Sequence, residues 1–330
     1  MLIPEQKPRT EIRTAIAALS VACIFWGLSF PATKLALQAF ESHVHGTNAP
    51  GLLTQSGDSA TVNGWRFVFA AALYGLLTLR QQRGYSRADI RGGLLVGAFF
   101  GAGMLAQLAG LAYTLPSISA FLTSLVVVFV PVAQALLLKR PVRTVTWMAV
   151  LLALGGSVVM AQPWNVSPGA LPENGRQLPM PFIGETLTVL CAVLFAGQLL
   201  SLDVFGKVAN TTRLTLIMMF TTAMLNVGFG AAFGGAAYDS ETVVALFSDV
   251  RFILPVVANT LLASILAIHL MNKYQPLVTP AMASVIYCLE PVFATLFSIL
   301  LQTESFSGAI ALGGVLIVSA VLLVTRPARE

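Results

Sequence analysis

The stretch SISAFLTSLVVVFVPVAQALLL (117–138) decides the fold class, because it contains no Asp, Glu, Lys or Arg. About 20 apolar residues are enough for a helix to cross the hydrocarbon core of a bilayer. Two further stretches without those charged residues lie at 214–237 and 305–325. Backbone groups inside lipid need internal hydrogen-bond partners, so such blocks favour helices. The sequence therefore predicts an all-α membrane protein.

The composition supports the same class. Of the 330 residues, 56% are hydrophobic and only 10% are charged, against about 25% charged in soluble domains. The net charge of +5 comes from short basic clusters between apolar blocks. Such clusters are typical of membrane topology signals and not of a phosphate-binding face, so we expect no nucleic-acid partner.

The apolar blocks predict about ten transmembrane helices. We place them at roughly 14–40, 62–80, 91–113, 117–138, 143–161, 183–205, 213–236, 251–272, 277–301 and 306–325. The polar stretch ESHVHGTNAPGLLTQSGDSAT (41–61) is predicted to be an outer loop. The first apolar segment is too long for the core of a signal peptide, so we interpret it as a retained helix.

The distribution of basic residues predicts that both termini are cytoplasmic. With ten spans, the 19 Lys and Arg residues fall in segments on the side of the termini, except for Lys34, Arg66, Arg176 and Arg251. Lysine and arginine are enriched in cytoplasmic segments of membrane proteins. We interpret Arg66 as an anchor at the outer mouth of the second helix.

The chain also resembles itself. Segment 117–138 is similar to LVTPAMASVIYCLEPVFATLFS (277–298), with Pro131 aligned with Pro291. We predict one five-helix repeat in residues 1–162 and another in 183–330, joined by an outer loop at 163–182. Five is an odd number, so the second repeat must cross the membrane in the opposite sense. Inverted repeats of this kind are common in transporters.

Four local patterns resemble the drug/metabolite transporter superfamily, specifically its EamA-type members. They are FWGLSFPATKLAL (25–37), WRF (65–67), AFLTSLVVVFVPVAQALLLKRPV (120–142) and LEPVFATLFSILLQTESFS (289–307). The resemblance implies ten helices in two inverted five-helix repeats, each EamA-like. It also implies export of small metabolites such as amino acids from the cell through the inner membrane. The long 41–61 segment and Ala196 depart from the family's usual pattern.

Three ionisable residues are candidates for the transport pathway. Glu290 is the acid predicted near the middle of a span, where a charge needs a cavity or a partner. It either couples protons or binds an ammonium group, or it has a structural role. Lys34 either snorkels to the outer interface or binds an anionic group. His269 either carries protons or forms a local hydrogen bond.

Polar and amphipathic groups inside the spans are candidates for lining a cavity, although helix-to-helix hydrogen bonding would also account for them. The strongest of these candidates are Trp26, Gln107, Tyr287 and Gln198. Pro31, Pro131 and Pro291 each remove a helix hydrogen bond and are predicted helix breaks or hinges. Gly93, Gly97 and Gly101 form GxxxG spacings that predict close helix packing.

Several chemistries have no motif in the sequence. There is no P-loop, HExxH or GxSxG pattern, and the three cysteines lack metal-site spacing, so we expect no enzyme activity, cofactor or metal. We predict a secondary transporter that works by alternating access, with proton coupling left open. An importer or exchanger of a phosphorylated or drug-like solute is the alternative, and an intramembrane enzyme is less favoured. The expected partners are a small solute and the bilayer, and a homodimer is left open.

Overall fold

The computed structural model describes residues 8–46, 51–114, 116–162, 181–234, 240–302 and 305–326. Lys7, Arg176 and Arg329, which entered the topology prediction, lie outside the described residues. So does nearly all of the predicted connecting loop at 163–182, of which only the last two residues are described.

The described part of the chain is built from α-helices. In chain order they are α1 (Arg9–Val44), α2 (Leu52–Leu77), α3 (Arg87–Tyr113), α4 (Pro116–Ser124), α5 (Val126–Leu136), α6 (Thr144–Ala161), α7 (Pro181–Phe205), α8 (Thr211–Phe233), α9 (Ser240–Ser248), α10 (Val250–Ala258), α11 (Ala267–Tyr274), α12 (Pro280–Tyr287), α13 (Leu289–Leu300) and α14 (Gly308–Val324). A π-helical segment, Asn259–Leu266, joins α10 to α11 in one continuous rod.

Eight helical segments in the described residues are long and apolar enough to cross a membrane, and α14 is a shorter apolar helix. The prediction of a multi-pass, all-helical membrane protein is therefore confirmed. Helix α2 is long enough but is not among the apolar spans, because its first half is rich in polar residues.

The predicted outer loop at 41–61 is wrong in its extent, because α1 continues to Val44 and α2 begins at Leu52. The polar side chains of early α2 find partners within the helix itself. The hydroxyl of Thr61 donates to the carbonyl of Gly57 at 3.0 Å, and the amide of Asn63 donates to the carbonyl of Ser59 at 3.3 Å. Satisfied in this way, the segment can be buried as a helix.

Packing against α8 explains why this polar segment is buried. A side chain at Gly57 would collide with the backbone of Phe233 and Gly234, and one at Gly64 would lie 2.9 Å from Val227. The pairs run in opposite directions along the two helices, so α2 and α8 are antiparallel. Small residues allow this close approach.

Two membrane helices are interrupted. The first breaks at Leu125, between α4 and α5, and the second breaks at Cys288, between α12 and α13. Proline clashes with the carbonyl four residues earlier, which for Pro291 is the carbonyl of Tyr287, so Pro291 accounts for the second break. Pro131 lies inside α5, six residues beyond the first break, and is not its cause.

Pro31 does not interrupt its helix, in contrast to its assignment as a helix break. Helix α1 runs without a gap from Arg9 to Val44. The carbonyl that a proline at this position releases belongs to Gly27. That residue is tightly packed against α13, and tertiary packing holds the helix together across the missing hydrogen bond.

The two halves share landmarks at a constant spacing of 163 residues. The breaks at Leu125 and Cys288 have this spacing, and so do Lys139 and Gln302, which follow the broken helices with left-handed backbone angles (φ 51° and 59°). The start of α3 and the start of α10 are also 163 residues apart, as are the ends of α6 and α14.

The alignment of Pro131 with Pro291 in the sequence is therefore shifted relative to the spacing of these structural landmarks. At the spacing of 163, Pro131 corresponds to Ala294, which lies three residues beyond Pro291. Three residues are almost one helical turn, so apolar positions still match apolar positions in the shifted alignment. The register of the predicted repeat therefore differs by this amount from the spacing of the structural landmarks.

The glycines of α3 pack as their spacing predicts. A Cβ atom on Gly93 would lie 2.5 Å from Ile217, and one on Gly97 would lie 2.7 Å from the carbonyl oxygen of Met218. Gly101 faces Thr222 and Leu225 of the same helix, α8. Because both partner positions rise along the chain, α3 and α8 are parallel.

We expect Gly97→Ala to lower the free energy of unfolding by roughly 1–3 kcal/mol, the usual range for overpacking. The obstruction is backbone, which cannot rotate away. Gly228→Ala is the matched control, because a Cβ atom there would meet nothing within 4 Å. The thermal unfolding midpoints of both variants in detergent check this, and equal midpoints would contradict the assigned packing.

Candidate functional site

The indole of Trp26 and the adjacent glycine, both within FWGLSF, hold α1 against two other helical elements. The Nε1–H of Trp26 donates to the carbonyl oxygen of Ala263 at 3.1 Å, and its ring meets that of Tyr287 edge-on, with centroids 5.4 Å apart. A Cβ atom on Gly27 would lie 2.5 Å from that of Phe293. Any larger residue at Gly27 would push α13 away from α1.

Glu290 lies in the first turn of α13, immediately after the break at Cys288. Its charge acts on Cys23 of α1, Cys191 of α7 and on its neighbours Tyr287 and Cys288. The carboxyl group therefore lies between α1, α7 and the broken helix. Within the described residues it has no hydrogen bond and no ion pair.

We call Cys23, Trp26, Tyr287, Cys288 and Glu290 the break cluster. A carboxylate at a helix N-terminus is favoured by the helix dipole, which makes the charged form of Glu290 less costly in this position. A partly buried carboxyl group that lacks a partner among the described residues is a candidate to bind a proton or a cationic group of a solute.

Tyr287 is fixed by a chain of hydrogen bonds. Its hydroxyl donates to Oε1 of Gln275 at 2.9 Å, and Nε2 of Gln275 donates to the carbonyl of Leu199 in α7 at 2.9 Å. Gln198, the preceding residue of α7, is buried and donates to Sδ of Met271 at 3.5 Å. These contacts give Tyr287 and Gln198 defined structural partners on neighbouring helices.

The π-helical segment Asn259–Leu266 is the second irregular element next to α1. Besides the bond from Trp26, the amide of Asn259 donates to Oγ1 of Thr33 at 2.9 Å. π-Helical turns are rare and are often found at functional sites. Residues of α1 that are seven positions apart thus bind the first residue and the middle of this segment.

The two broken helices also contact each other. Gln134 of α5 is buried, and its Oε1 accepts a hydrogen bond from the backbone N–H of Ala281 in α12 at 3.0 Å. The first turn of α12 is further capped by the hydroxyl of Thr279. This hydrogen bond therefore couples the two broken helices.

The structure does not bring Lys34 or His269 to the break cluster. Lys34 lies eight residues after Trp26, about 12 Å along α1 at 1.5 Å per residue, and its side chain is exposed. Nδ1 of His269 lies 2.8 Å from the hydroxyl of Tyr74. Within the described part of the chain, no hydrogen bond or ion pair joins either residue to Glu290.

His269 instead faces a cavity of about 450 Å³ between α2, α8 and α11. The cavity is lined by Tyr74, Leu77, Thr78, Gln81, Thr211, Thr212, Ile265, Leu266, His269 and Lys273. Lys273 and several hydroxyl groups contribute polar atoms to the lining of this cavity, which is otherwise mostly apolar.

Gln107 lies on the face of α3 that packs against α7. It is one helical turn from Gly103, which contacts Phe195, and one turn from Gly110, which contacts Thr188. Its side chain is partly buried, and among the described residues its amide makes no hydrogen bond. The prediction that Gln107 lines a solute pathway stays a prediction.

Ion pairs tie three predicted cytoplasmic loops together at one end of the molecule. Asp203 of α7 is 1% exposed and pairs with Arg140 and with Lys207. Asp89 accepts the N–H of Asn210 at 2.7 Å and lies 3.5 Å from the guanidinium of Arg213. These contacts place the α5–α6 and α7–α8 connections and the start of α3 on the same side, as predicted.

A second set of pairs lies at the opposite end. His45 contacts Asp58 at 2.7 Å, and His43 contacts Asp249 at 3.1 Å. The guanidinium and backbone N–H of Arg251, together with His43, hold the pKa of the Asp249 carboxyl well below its usual range. The two histidines of the HxH pattern therefore have separate partners.

Metal and disulfide chemistry find no support within the described residues. No group of three or more His, Cys, Asp or Glu side chains there could hold a metal ion. Cys23, Cys191 and Cys288 are all free and buried.

Sequence reasoning missed the burial of Arg66. We interpreted it as an interfacial anchor because the polar residues before it were assigned to a loop. In the structure α2 starts fourteen residues earlier, and Arg66 is 7% exposed, in the middle of that helix. A charged residue so far from both helix ends would have been the signal.

Comparison with known proteins agrees with this architecture. Residues 13–162 match the EamA-like transporter family. This match places residues 13–162, the first half of the chain, in that family. The membership predicted from its local motifs is thus confirmed, and the chain is a multi-pass membrane transporter.

Two similar proteins extend the comparison over the whole length of this EamA-family transporter. It is 27% identical over 307 residues to an uncharacterized transporter of Archaeoglobus fulgidus, and the match covers 93% of this chain and 84% of the relative. A crystal structure of a protein superposes with a TM-score of 0.70 at 18% identity, covering 94% of this chain and 96% of the other. The superposition supports the fold alone.

We expect Asp203→Asn to lower the free energy of unfolding of the EamA-family transporter by about 1–3 kcal/mol, because a buried charged acceptor is lost from two cations. Asp249→Asn is the control, since its carboxylate is less buried and exposed ion pairs contribute little. Thermal unfolding in detergent measures both. A smaller loss for Asp203→Asn than for Asp249→Asn would contradict the assigned role of Asp203.

Proposed function

We propose that this EamA-family transporter is a secondary transporter that exports small metabolites such as amino acids by alternating access. The observation that carries the proposal is the carboxyl group of Glu290, placed between α1, α7 and a broken helix without a partner among the described residues. Transporter binding sites are typically formed where discontinuous helices leave groups free for a solute or ion.

We further propose that the chain consists of two inverted five-helix repeats. The 163-residue spacing of the breaks supports this division. Helix pairs that would be equivalent pack in antiparallel fashion, as α2 does with α8. The antiparallel sense is what inversion requires, because each repeat has an odd number of spans.

The excess of Lys and Arg at the end that holds Asp89 and Asp203 supports a cytoplasmic location for that end and for both termini. We place the protein in the inner membrane of a cell on this basis and on that of the family resemblance. The pair His43–Asp249 would then lie on the outer side.

Glu290 is the proposed coupling group. A carboxyl group that is protonated on one side of the membrane and releases its proton on the other links solute movement to the proton gradient. Its position directly after the break makes it sensitive to the rearrangement of α12 against α13. Trp26, whose indole contacts both Tyr287 and the π-helical segment, would transmit that rearrangement to α1.

The proposal is tested with proteoliposomes that contain the purified transporter. Radiolabelled amino acids are offered with and without an imposed pH gradient, and Glu290→Gln is compared with wild type. We expect gradient-driven accumulation to disappear in the variant, while exchange of labelled for unlabelled solute persists, because the amide cannot release a proton. Glu241→Gln, an exposed acid on α9, should accumulate solute like wild type.

Accumulation that survives Glu290→Gln would return Glu290 to a structural role. Faster flux of phosphorylated or drug-like solutes than of amino acids would favour the alternative substrate class. Absence of flux for every solute tested would remove the proposed export function.

A further inference from the structure

Arg66 is a buried cation without an anion. It is residue 15 of the 26 in α2, so at 1.5 Å per residue it lies about 21 Å from the start of the helix and about 17 Å from its end. It is 7% exposed. Its guanidinium lies 5.2 Å from the centroid of the Phe67 ring, and none of the described Asp or Glu residues forms an ion pair with it.

One of its five N–H donors has a partner. Nε donates to Oγ of Ser264 at 2.7 Å, and the terminal nitrogens make no hydrogen bond to the described residues. Leaving a charge unpaired inside a protein is costly, and a cation–π contact offsets only part of that cost. The guanidinium therefore has free N–H donors for an anion that the described residues do not supply.

A second group at the same place is also without a partner. Thr260 lies four residues before Ser264 in the π-helical segment, so the two side chains are on neighbouring turns. Its hydroxyl is buried and has no hydrogen-bond partner, and the residue is 5% exposed. Buried hydroxyl groups are almost always hydrogen-bonded, so an unsatisfied hydroxyl four residues from the serine that binds an incompletely bonded guanidinium indicates a polar ligand.

We propose that Arg66, with Ser264 and Thr260, binds the carboxylate of the transported solute. This inference rests on the proposed function and names its substrate class. The planar fork of arginine matches a carboxylate with two parallel hydrogen bonds. Burial increases the strength of such a contact, because little water competes for it.

The position of Trp26 connects this site to Glu290. The indole donates to Ala263, the neighbour of Ser264, and its ring contacts Tyr287, three residues before Glu290. The indole therefore contacts one residue close in sequence to the partner of a buried cation and another close to a partly buried acid. A zwitterion of the amino-acid type is the solute that gives each of them a partner of opposite charge.

The first test uses the wild-type transporter in proteoliposomes. Uptake of radiolabelled L-leucine, L-threonine and L-phenylalanine is measured in competition with the unlabelled amino acids, their carboxamides, their N-acetyl derivatives and leucine-sized phosphate monoesters. We expect the carboxamides to compete at least about tenfold more weakly than the acids, because they lack the charged acceptor. Equal competition by acids and carboxamides would overturn the inference, and so would stronger competition by phosphate monoesters.

The second test uses variants. In Arg66→Gln we expect the amino acids to compete for uptake only as well as their carboxamides do, while competition by the carboxamides stays unchanged. Arg66→Lys should keep part of the preference for the acid over the carboxamide. Ser264→Ala should reduce the preference for the acid several-fold. The controls are Arg91→Gln, an exposed arginine, and Ser157→Ala, whose hydroxyl bonds only to the carbonyl of Ala153 in its own helix.

A competing explanation is that Arg66 pairs with Glu290 in another conformation. The double variant Arg66→Gln/Glu290→Gln distinguishes carboxylate binding from such an internal ion pair. Recovery of acid-selective uptake in the double variant would overturn the inference, since a lost internal pair would then be the cause. Continued loss of selectivity supports carboxylate binding.

If Arg66→Gln does not fold, the carboxamide comparison on wild type and Arg66→Lys decides the question. Failure of wild type to move any amino acid would instead refute the proposed function.

Discussion

Every polar group that α1 carries into the membrane interior has to find a partner there, and the bond from Trp26 to Ala263 is the one on which the rest of the interior depends. It joins α1 to a π-helical segment whose backbone differs from that of an ordinary helix. On its other side the same ring meets Tyr287 at the break of a second helix. One side chain therefore contacts two irregular elements. Arg66 bonds to one of these elements and Glu290 belongs to the other.

Irregular backbone is costly in a bilayer, and in this protein side-chain hydrogen bonds join both broken helices to neighbouring helices. Next to Cys288, Gln275 links the hydroxyl of Tyr287 to the carbonyl of Leu199, so the break is connected to α7. Gln134 connects α5 to the first turn of α12. Because these links are single hydrogen bonds between helices, they can be exchanged for others at low cost when the helices move, which is what alternating access requires.

The sequence was most informative where one property dominates. Long apolar blocks predicted the spans, and the glycines of α3 predicted its contact with α8 because no larger residue allows that distance. Prediction failed where two properties compete. The segment 52–64 is polar enough for a loop, yet it is helical because Thr61 and Asn63 bond to their own backbone and Gly57 fits against α8. Because of that error the burial of Arg66 was missed, since its position in the middle of α2 is clear only when the full length of α2 is known. The partners of Trp26 were beyond prediction as well, since a backbone carbonyl leaves no mark in a sequence.

The polar first half of α2 has a consequence for how the protein is made. A segment of this kind gains little from entering lipid by itself, because its buried surface is complementary to α8 and not to acyl chains. The ribosome begins α8 only after five further helices, α3 to α7, have been synthesised. Early in synthesis, then, the nascent chain contains a helix whose insertion is poorly supported and whose partner does not yet exist. The weak point in the biogenesis of this protein is thus set by the order of its helices along the chain.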